Sequence, residues 1–331
     1  MTQGEHATWR VPFDSLGARV RMVMAIEIVP FALACAGVYV VGVTSLGVLL
    51  FVVMYVLTML GVDLGMHRML AHRQFAAKPW LRATLCVLGA MAGQGSPLLW
   101  SAVHRVHHSD PDGVNDIHSP SHGRRGVLSR VAGFLWAQSL WYTEVPGITR
   151  FRRVLGEGGQ AEPRASNALN APDRQARTLV HLVQDWRRDD LVVRLDVLYP
   201  LWIGLGLALP TALGGIAAGP HGALAGLVWG GLVRFVAVQK VSFAVNSLGH
   251  TVGTQRFQTG DDSRNNVVMA LLTLGAGWHN NHHAFPGAAS LWLSPWQVDI
   301  SYALIRVLEA MGAVDDVRRV DRATVEARRA R

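Results

Sequence analysis

The stretch Gly277-Trp278-His279-Asn280-Asn281-His282-His283-Ala284-Phe285-Pro286 carries histidines at i, i+3 and i+4. On a helix those positions share one face, so three imidazoles are expected to converge on one small volume. The spacing recurs in His104-Arg105-Val106-His107-His108. In His67-Arg68-Met69-Leu70-Ala71-His72 the histidines are at i and i+5. On a regular helix these two point roughly 140° apart, which predicts a pair straddling a site rather than lining one side of it. His250 closes Asn246-Ser247-Leu248-Gly249-His250, with Asn246 one turn earlier and facing the same way.

These clusters hold nine of the fourteen histidines. Imidazole suits zinc, copper, iron and nickel, and no thiolate cluster competes with it. About four ligands suffice for one zinc, so nine point to two ions with open positions. A single HxxHH is as readily a chance set of core or surface histidines. Two copies plus an HxxxxH, each bordering a membrane span, are not. His6, His118, His122, His181 and His221 fall in no cluster and are expected to be non-ligands. His118 is the least certain of these, because it follows the second cluster closely.

The elements that must position these rings are membrane helices. Half of the residues are hydrophobic and 16% are charged, against about a quarter charged in a soluble domain. Cys35 and Cys86 lie in apolar stretches without a CxxC, so neither a disulfide framework nor a thiolate metal site is expected. Residues 1–20 contain no apolar core of a signal peptide, and the first apolar run is long enough to act as an uncleaved anchor. Four transmembrane helices are expected, at about 22–43, 46–65, 195–218 and 223–245, in one all-α membrane domain covering residues 1–331. Residues 81–103 are apolar but interrupted by Gly93, Gly95 and Pro97. A full crossing there would separate His67 from His104 by the membrane. The segment is therefore expected to dip into the bilayer boundary and return.

Arginines 124, 125, 130, 150, 152 and 153 flank tryptophan and tyrosine, which predicts a surface-lying segment. A flexible insert is expected at about 156–176, and a polar, solvated tail at about 314–331. The two outer turns carry no Lys or Arg, whereas most of the net charge of +8 lies in the other loops. The positive-inside rule places both termini and every histidine cluster in the cytoplasm. Topology accounts for the basic excess, and no nucleic-acid module is visible.

With these clusters in place, the chain resembles the integral-membrane fatty acyl desaturase family, of the bacterial acyl-CoA delta-nine (stearoyl-CoA desaturase-like) type. The likeness covers about residues 45–125 and 225–317 and rests on HRMLAHRQF, QGSPLLWSAVHRVHH, NSLGH, TGDDSRNN, GAGWHNNHHAFP and WQVDISYALIRVLEAMG. It implies two irons held by His67, His72, His104, His107, His108, His250, His279, His282 and His283. It also implies a water held by Asn246 beside one of them, and a kinked substrate tunnel lined by Gln94, Trp100 and Ser242. The implied reaction uses O₂ to remove two neighbouring hydrogens from an acyl chain, leaving a cis double bond and water. Removing hydrogen from an unactivated methylene is beyond any side chain, so a redox metal must supply the oxidant. The implied substrate is an acyl-CoA or acyl-carrier-protein thioester. Ser242 stands where threonine is usual, Phe243 where tryptophan is common, and Ala276 where glutamate is frequent. These departures point to an unusual substrate or head group.

Asp63, Asp110, Asp116, Asp261 and Asp262 are near the clusters in sequence and are candidates to orient the imidazoles. The chain shows no haem-binding appendage, no dinucleotide fingerprint and no cysteine cluster. Electrons are therefore expected from a separate ferredoxin- or cytochrome-type donor with its reductase. A bacterial inner-membrane location follows from topology and resemblance together. Two alternatives share the metals or the histidines: a hydroxylase or acetylenase acting on a carrier-protein- or lipid-linked chain, and a histidine-rich metal transporter. A transporter needs polar ligands across the bilayer midplane, whereas these clusters lie at span ends.

Overall fold

The computed structural model describes residues 16–113, 115–121, 126–145, 148–156 and 171–329. His6, His122, Arg124, Arg125 and most of the insert expected at about 156–176 lie outside the described residues. The architecture is helical. Helix α1 (Leu16–Val23) runs through a wide turn, Met24–Ile28, into α2 (Val29–Val41). Helix α3 (Ser45–Leu60) continues as a π-helical segment, Gly61–Ala71. Then follow α4 (Pro79–Met91), α5 (Pro97–Ser109), α6 (Val127–Leu135), α7 (Ile148–Gly156), α8 (Ala171–Leu182) and α9 (Asp190–Val197). Helix α10 (Tyr199–Ala225) passes through Gly226–Val233 into α11 (Arg234–Ser247). Helices α12 (Val267–Leu272), α13 (His279–Ala284), α14 (Ile300–Ala310) and α15 (Arg322–Arg329) complete the chain.

Three helical stretches among the described residues are long and apolar enough to cross a membrane: Arg19–Val41, Ser45–Ala71 and Tyr199–His250. Their outward sides are apolar, with Phe31, Val40, Leu49 and Ile216 exposed, as lipid-facing surfaces must be. The third stretch breaks at Ala218 and Gly219, where Gly219 takes φ 62°, and Pro220 restarts the helix. The two arms then pack closely. A Cβ on Gly214 would lie 2.1 Å from the Gly222 carbonyl, and one on Gly226 would lie 2.0 Å from the Pro210 carbonyl. The break falls where a turn is expected between about 195–218 and 223–245, and the two arms fold back on one another as a hairpin.

The segment expected to dip and return is two helices, α4 and α5, joined through Ala92–Ser96. Close glycine contact seats it: a Cβ on Gly61 would lie 2.1 Å from the Gly89 nitrogen. Arg234, fully buried, donates to the carbonyls of Met91, Gly206 and Gly230 at 2.7, 2.7 and 3.1 Å. It thereby ties the end of α4 to both arms of the hairpin. The main core is built chiefly from α4, α5, α7, α8 and the end of the second long stretch, with Leu64, Leu98, Phe151 and Leu179 among its buried residues. The expected polar tail is partly ordered. Val314–Asp315 pairs antiparallel with Ala76–Ala77, and the Arg318 amide donates to the Gln74 carbonyl. Val314 and Val325 are buried, so apolar residues among the charges anchor this segment. Neither cysteine is bonded; Cys86 is buried and Cys35 faces outward.

Candidate metal centre

The first cluster departs from the regular-helix expectation. Gly61–Ala71 is π-helical, and the His72 amide donates to the His67 carbonyl at 3.1 Å, an i→i+5 bond. Such a turn returns the chain to the same side after five residues. His67 and His72 consequently sit together, ring centroids 5.0 Å apart, rather than straddling the site.

The two HxxHH clusters also differ from expectation, because neither serves a single volume. Positions i and i+4 of a helix share a face, but i+3 and i+4 differ by about 100°. On α5, His104 and His108 turn one way and His107 the other. On α13, His279 and His283 turn one way and His282 the other. His67, His72, His104 and His282 form one group, and His107, His250, His279 and His283 form a second, each with its ligand atoms within 4.8 Å of one another. His108 joins the first group through an Nε2–Nε2 distance of 2.9 Å to His282. Other facing nitrogens are 2.8 Å apart in His72–His104, 3.1 Å in His67–His282, 3.0 Å in His250–His279 and 3.2 Å in His107–His283.

The residues present fit metal ions. Two nitrogens bound to one ion at right angles, with bonds of about 2.1 Å, lie about 3.0 Å apart. The outer nitrogens are fixed by carboxylates. His67 Nδ1 donates to Asp63 at 2.9 Å, His107 to Asp116 at 2.8 Å, His250 to Asp112 at 2.7 Å and His283 to Asp261 at 2.8 Å. Each of these rings, when neutral, turns its Nε2 lone pair inward, as a metal ligand must. Burial first, and then neighbouring imidazoles, holds His72, His104, His108, His279, His282 and His283 well below the usual imidazole range. Neutral rings are the form that binds a cation. His107 runs the other way: burial lowers it, but the Asp116 charge and hydrogen bond outweigh burial.

Three of the five candidate carboxylates, Asp63, Asp116 and Asp261, reach imidazoles. Asp110 instead accepts from Asn115, and Asp262 accepts from Ser121. Asp112, not singled out from sequence, binds His250 and also accepts from Ser119 Oγ at 2.6 Å (through Oδ1) and the Asp262 amide at 2.8 Å. Burial alone would raise Asp112, yet the His250 hydrogen bond and charge bring it to about 2. Its place in the acidic loop after His108 was the available signal; its pairing with a ring 138 positions later was not visible. Arg68 was also missed. Buried, it spans Asp63 and Asp299, donating to both Asp299 oxygens at 2.9 Å. His118 packs behind the second group, its Nδ1 3.4 Å from Asp116, with its pKa pushed down to about 3 by burial against the pull of Asp116.

A cavity of about 60 Å³ abuts both groups at His67, His104, His107 and His279. Met59, Val62, Trp100, Ser242, Asn246 and Ala276 are among its walls. Trp100 stacks on His104 with centroids 5.0 Å apart, and Ser242 Oγ has no hydrogen-bond partner among the described residues. Gln94 is not on this wall; its amide donates to the Val238 carbonyl at 3.3 Å, one turn before Ser242.

Apolar helices of crossing length, two histidine groups able to hold metal, and an apolar cavity beside them are the features of a membrane protein with a candidate metal centre. Residues 43–301 match the fatty acid desaturase family. The chain is 34% identical over 290 residues to a hex-5-enoyl-[acyl-carrier protein] acetylenase of Moorena producens (strain JHB), covering 87% of this chain and 81% of that one. It is 33% identical to an acyl-CoA 5-desaturase of Anemone leveillei, over 78% of this chain and 67% of that one. It is 30% identical to an sn-1 stearoyl-lipid 9-desaturase of Anabaena variabilis, over 80% of each. The chain belongs to the fatty acid desaturase family and is an oxidoreductase acting on fatty acyl chains.

Proposed function

We propose that this protein is an O₂-dependent desaturase that introduces a cis double bond, at the delta-nine position, into an acyl chain held as a CoA or carrier-protein thioester. The observation that carries this reading is the meeting of nine imidazoles, six buried and three half-buried, in two adjoining groups that both reach the wall of a largely apolar cavity. Two irons are assigned to them: one to His67, His72, His104, His108 and His282, the other to His107, His250, His279 and His283. When bound, such a pair supplies the O₂-derived oxidant that no side chain can.

The chain's own residues do the rest. Asp63, Asp112, Asp116 and Asp261 hold four rings with their lone pairs inward. The smaller group leaves room for an exchangeable ligand, and Asn246, on the cavity wall, is assigned to hold a water there. Met59, Val62 and Trp100 present apolar surface to the acyl chain and exclude bulk water. The apolar stretches cross the membrane four times, counting the two arms of the third, with both termini and the site in the cytoplasm of a bacterial cell. Basic loops on that side support this orientation.

Lipid mass spectrometry of cells with and without the protein, with the double bond located, tests the reaction. Loss of two hydrogens at one position is expected, and unchanged acyl chains would reject it. His108→Ala and His282→Ala should lose activity and iron together. Asn246→Ala should keep most iron and lose most activity; full turnover would remove its role. Cysteine labelling should reach a probe at Gly219 only from outside and one at Glu326 only from inside. A second reading, an acetylenase that removes hydrogens from an existing double bond, is favoured by the likeness to the Moorena producens acetylenase. Feeding a terminal alkenoyl chain and finding an alkyne would establish it.

A further inference from the structure

A band of exposed apolar side chains lies outside the three crossing stretches, on α12, the loop after α13, and α14. On α12, Val268 and Leu271 are 65% and 64% exposed, with Val267 and Leu272 beside them. In the loop, Trp296 is 60% exposed. Ile300 and Val307 on α14, and Met311 at its end, fall at i, i+7 and i+11, one narrow stripe, and Met311 is 72% exposed. Arg306 and Glu309 pair with each other at 3.1 Å on other sides of that helix, about 120° and 180° from Ile300. Residues 265–278 and 286–298 contain no Asp, Glu, Lys or Arg. Three contacts join the pieces into one surface. Helix α12 turns Ala270 inward to share a small core with Trp278. The Trp278 ring meets Trp296 edge-on at 5.3 Å, and its indole N–H donates to the Val298 carbonyl at 2.9 Å. The Ser301 amide donates to the Leu274 carbonyl at 2.9 Å, which brings the start of α14 to the turn after α12.

A fourth contact ties this surface to the lipid-facing side of the second crossing stretch. The Tyr55 hydroxyl of α3 donates to the Leu272 carbonyl at 2.8 Å. Tyr55 lies beside the exposed Val52 and Val53, and along a helix it is roughly 18 Å from His67. Helix α12 is therefore held at the level of the apolar stretch, not at the level of the histidines. We propose that the band is seated in lipid at the membrane boundary, as a surface that lies in the bilayer without crossing it. The proposal rests on the membrane-crossing reading of α3. Lipid is the occupant because the band continues the outward face of α3 through Tyr55 and Leu272. Exposed tryptophans at 292 and 296 suit that boundary, where one side of the ring is apolar and the other wet. A contiguous apolar face of this kind is costly in water and marks an interaction site. The seat also fixes one wall of the cavity beside the histidines. Thr273 and Ala276, on that wall, follow α12 directly, and the Thr273 hydroxyl donates to the Met269 carbonyl of α12 at 2.6 Å.

The test uses the full-length, iron-loaded protein in phosphatidylcholine vesicles. Cys35→Ala removes the outward-facing thiol and Cys86 is buried, so one introduced cysteine carries a bimane fluorophore. Leu271→Cys and Met311→Cys place it on the band, Leu49→Cys on the second crossing stretch and Ala323→Cys in the exposed part of the tail. Val298→Cys replaces either band variant if that variant fails to fold. Quenching by a phosphatidylcholine with a nitroxide on its tail reads contact with lipid, and quenching by iodide reads contact with water. On the band, the lipid quencher should remove most of the emission and iodide little, at a depth of about 5–10 Å into the boundary between headgroups and tails. Ala323 should show the reverse. Iodide quenching on the band, or protection from both quenchers by a second copy of the chain, overturns the seat. Lipid quenching at Leu49 but not on the band overturns the seat alone. Iodide quenching at Leu49 would instead overturn the crossing reading.

Discussion

His107 and His283 face each other through their Nε2 atoms at 3.2 Å, while their Nδ1 atoms are bound to Asp116 and Asp261 at 2.8 Å each. A carboxylate cannot donate, so each Nδ1 carries the proton, and two neutral rings would oppose their lone pairs. A proton on one ring or a shared cation resolves that opposition. With seven further imidazoles beside them, most held neutral by burial, a cation is the resolution that serves the whole set.

Asp261→Asn removes the charge behind His283 while keeping a hydrogen-bond acceptor there. Metal affinity is expected to fall roughly tenfold to a hundredfold, with the helical content unchanged. Competition against a chelator of known affinity measures it. An affinity equal to wild type would show that the carboxylate does not tune the ring.

Metal-free protein should lose stability in mild acid. His72, His104, His108, His279, His282 and His283 are held low in the fold, first by burial. In the unfolded chain they take up protons near pH 6.5, roughly the ordinary imidazole value. The unfolded state then binds more protons, so stability is present above that pH and is lost as pH falls below it. His107, raised in the fold, opposes this with one ring against six. Thermal unfolding in detergent, scanned across this range, should show a falling midpoint; a flat profile contradicts the neutral-ring assignment.

Arg234→Met should destabilise the membrane hairpin. It strips the carbonyls of Met91, Gly206 and Gly230 of a buried donor, at about 1–3 kcal/mol for each group left unsatisfied. Arg234→Lys should recover only part, because one ammonium cannot span all three. A thermal midpoint for the Met variant within error of wild type would count against the clamp.

Gly61→Ala should separate the second long stretch from α4, since its Cβ would meet the Gly89 backbone at 2.1 Å. Overpacking of this kind costs about 1–3 kcal/mol. Gly204→Ala, where a Cβ meets nothing within 4 Å, is the control and should leave the midpoint in place. Equal behaviour of the two variants would show that α4 moves aside freely.

The sequence by itself determined that this is a helical membrane protein with nine histidines in a desaturase pattern. Apolar run length and histidine spacing are local properties, and the fold class follows from them. It also marked Trp100, Ser242 and Asn246, which do share the cavity wall with the histidines, and Gln94, which sits a turn away. Tertiary structure decided the division of labour among the rings. His67 and His72 come together because Gly61–Ala71 winds as a π-helix, which an i, i+5 spacing does not announce. Each HxxHH divides between two groups because i+3 and i+4 diverge on a helix, and only opposing helices reveal which neighbour each ring meets. Asp112 reaches His250, and Asp299 reaches Arg68 across 231 positions, through loop and helix packing that no local pattern encodes. Spacing along a chain fixes direction on one element; partners across elements are fixed only when burial brings the elements together.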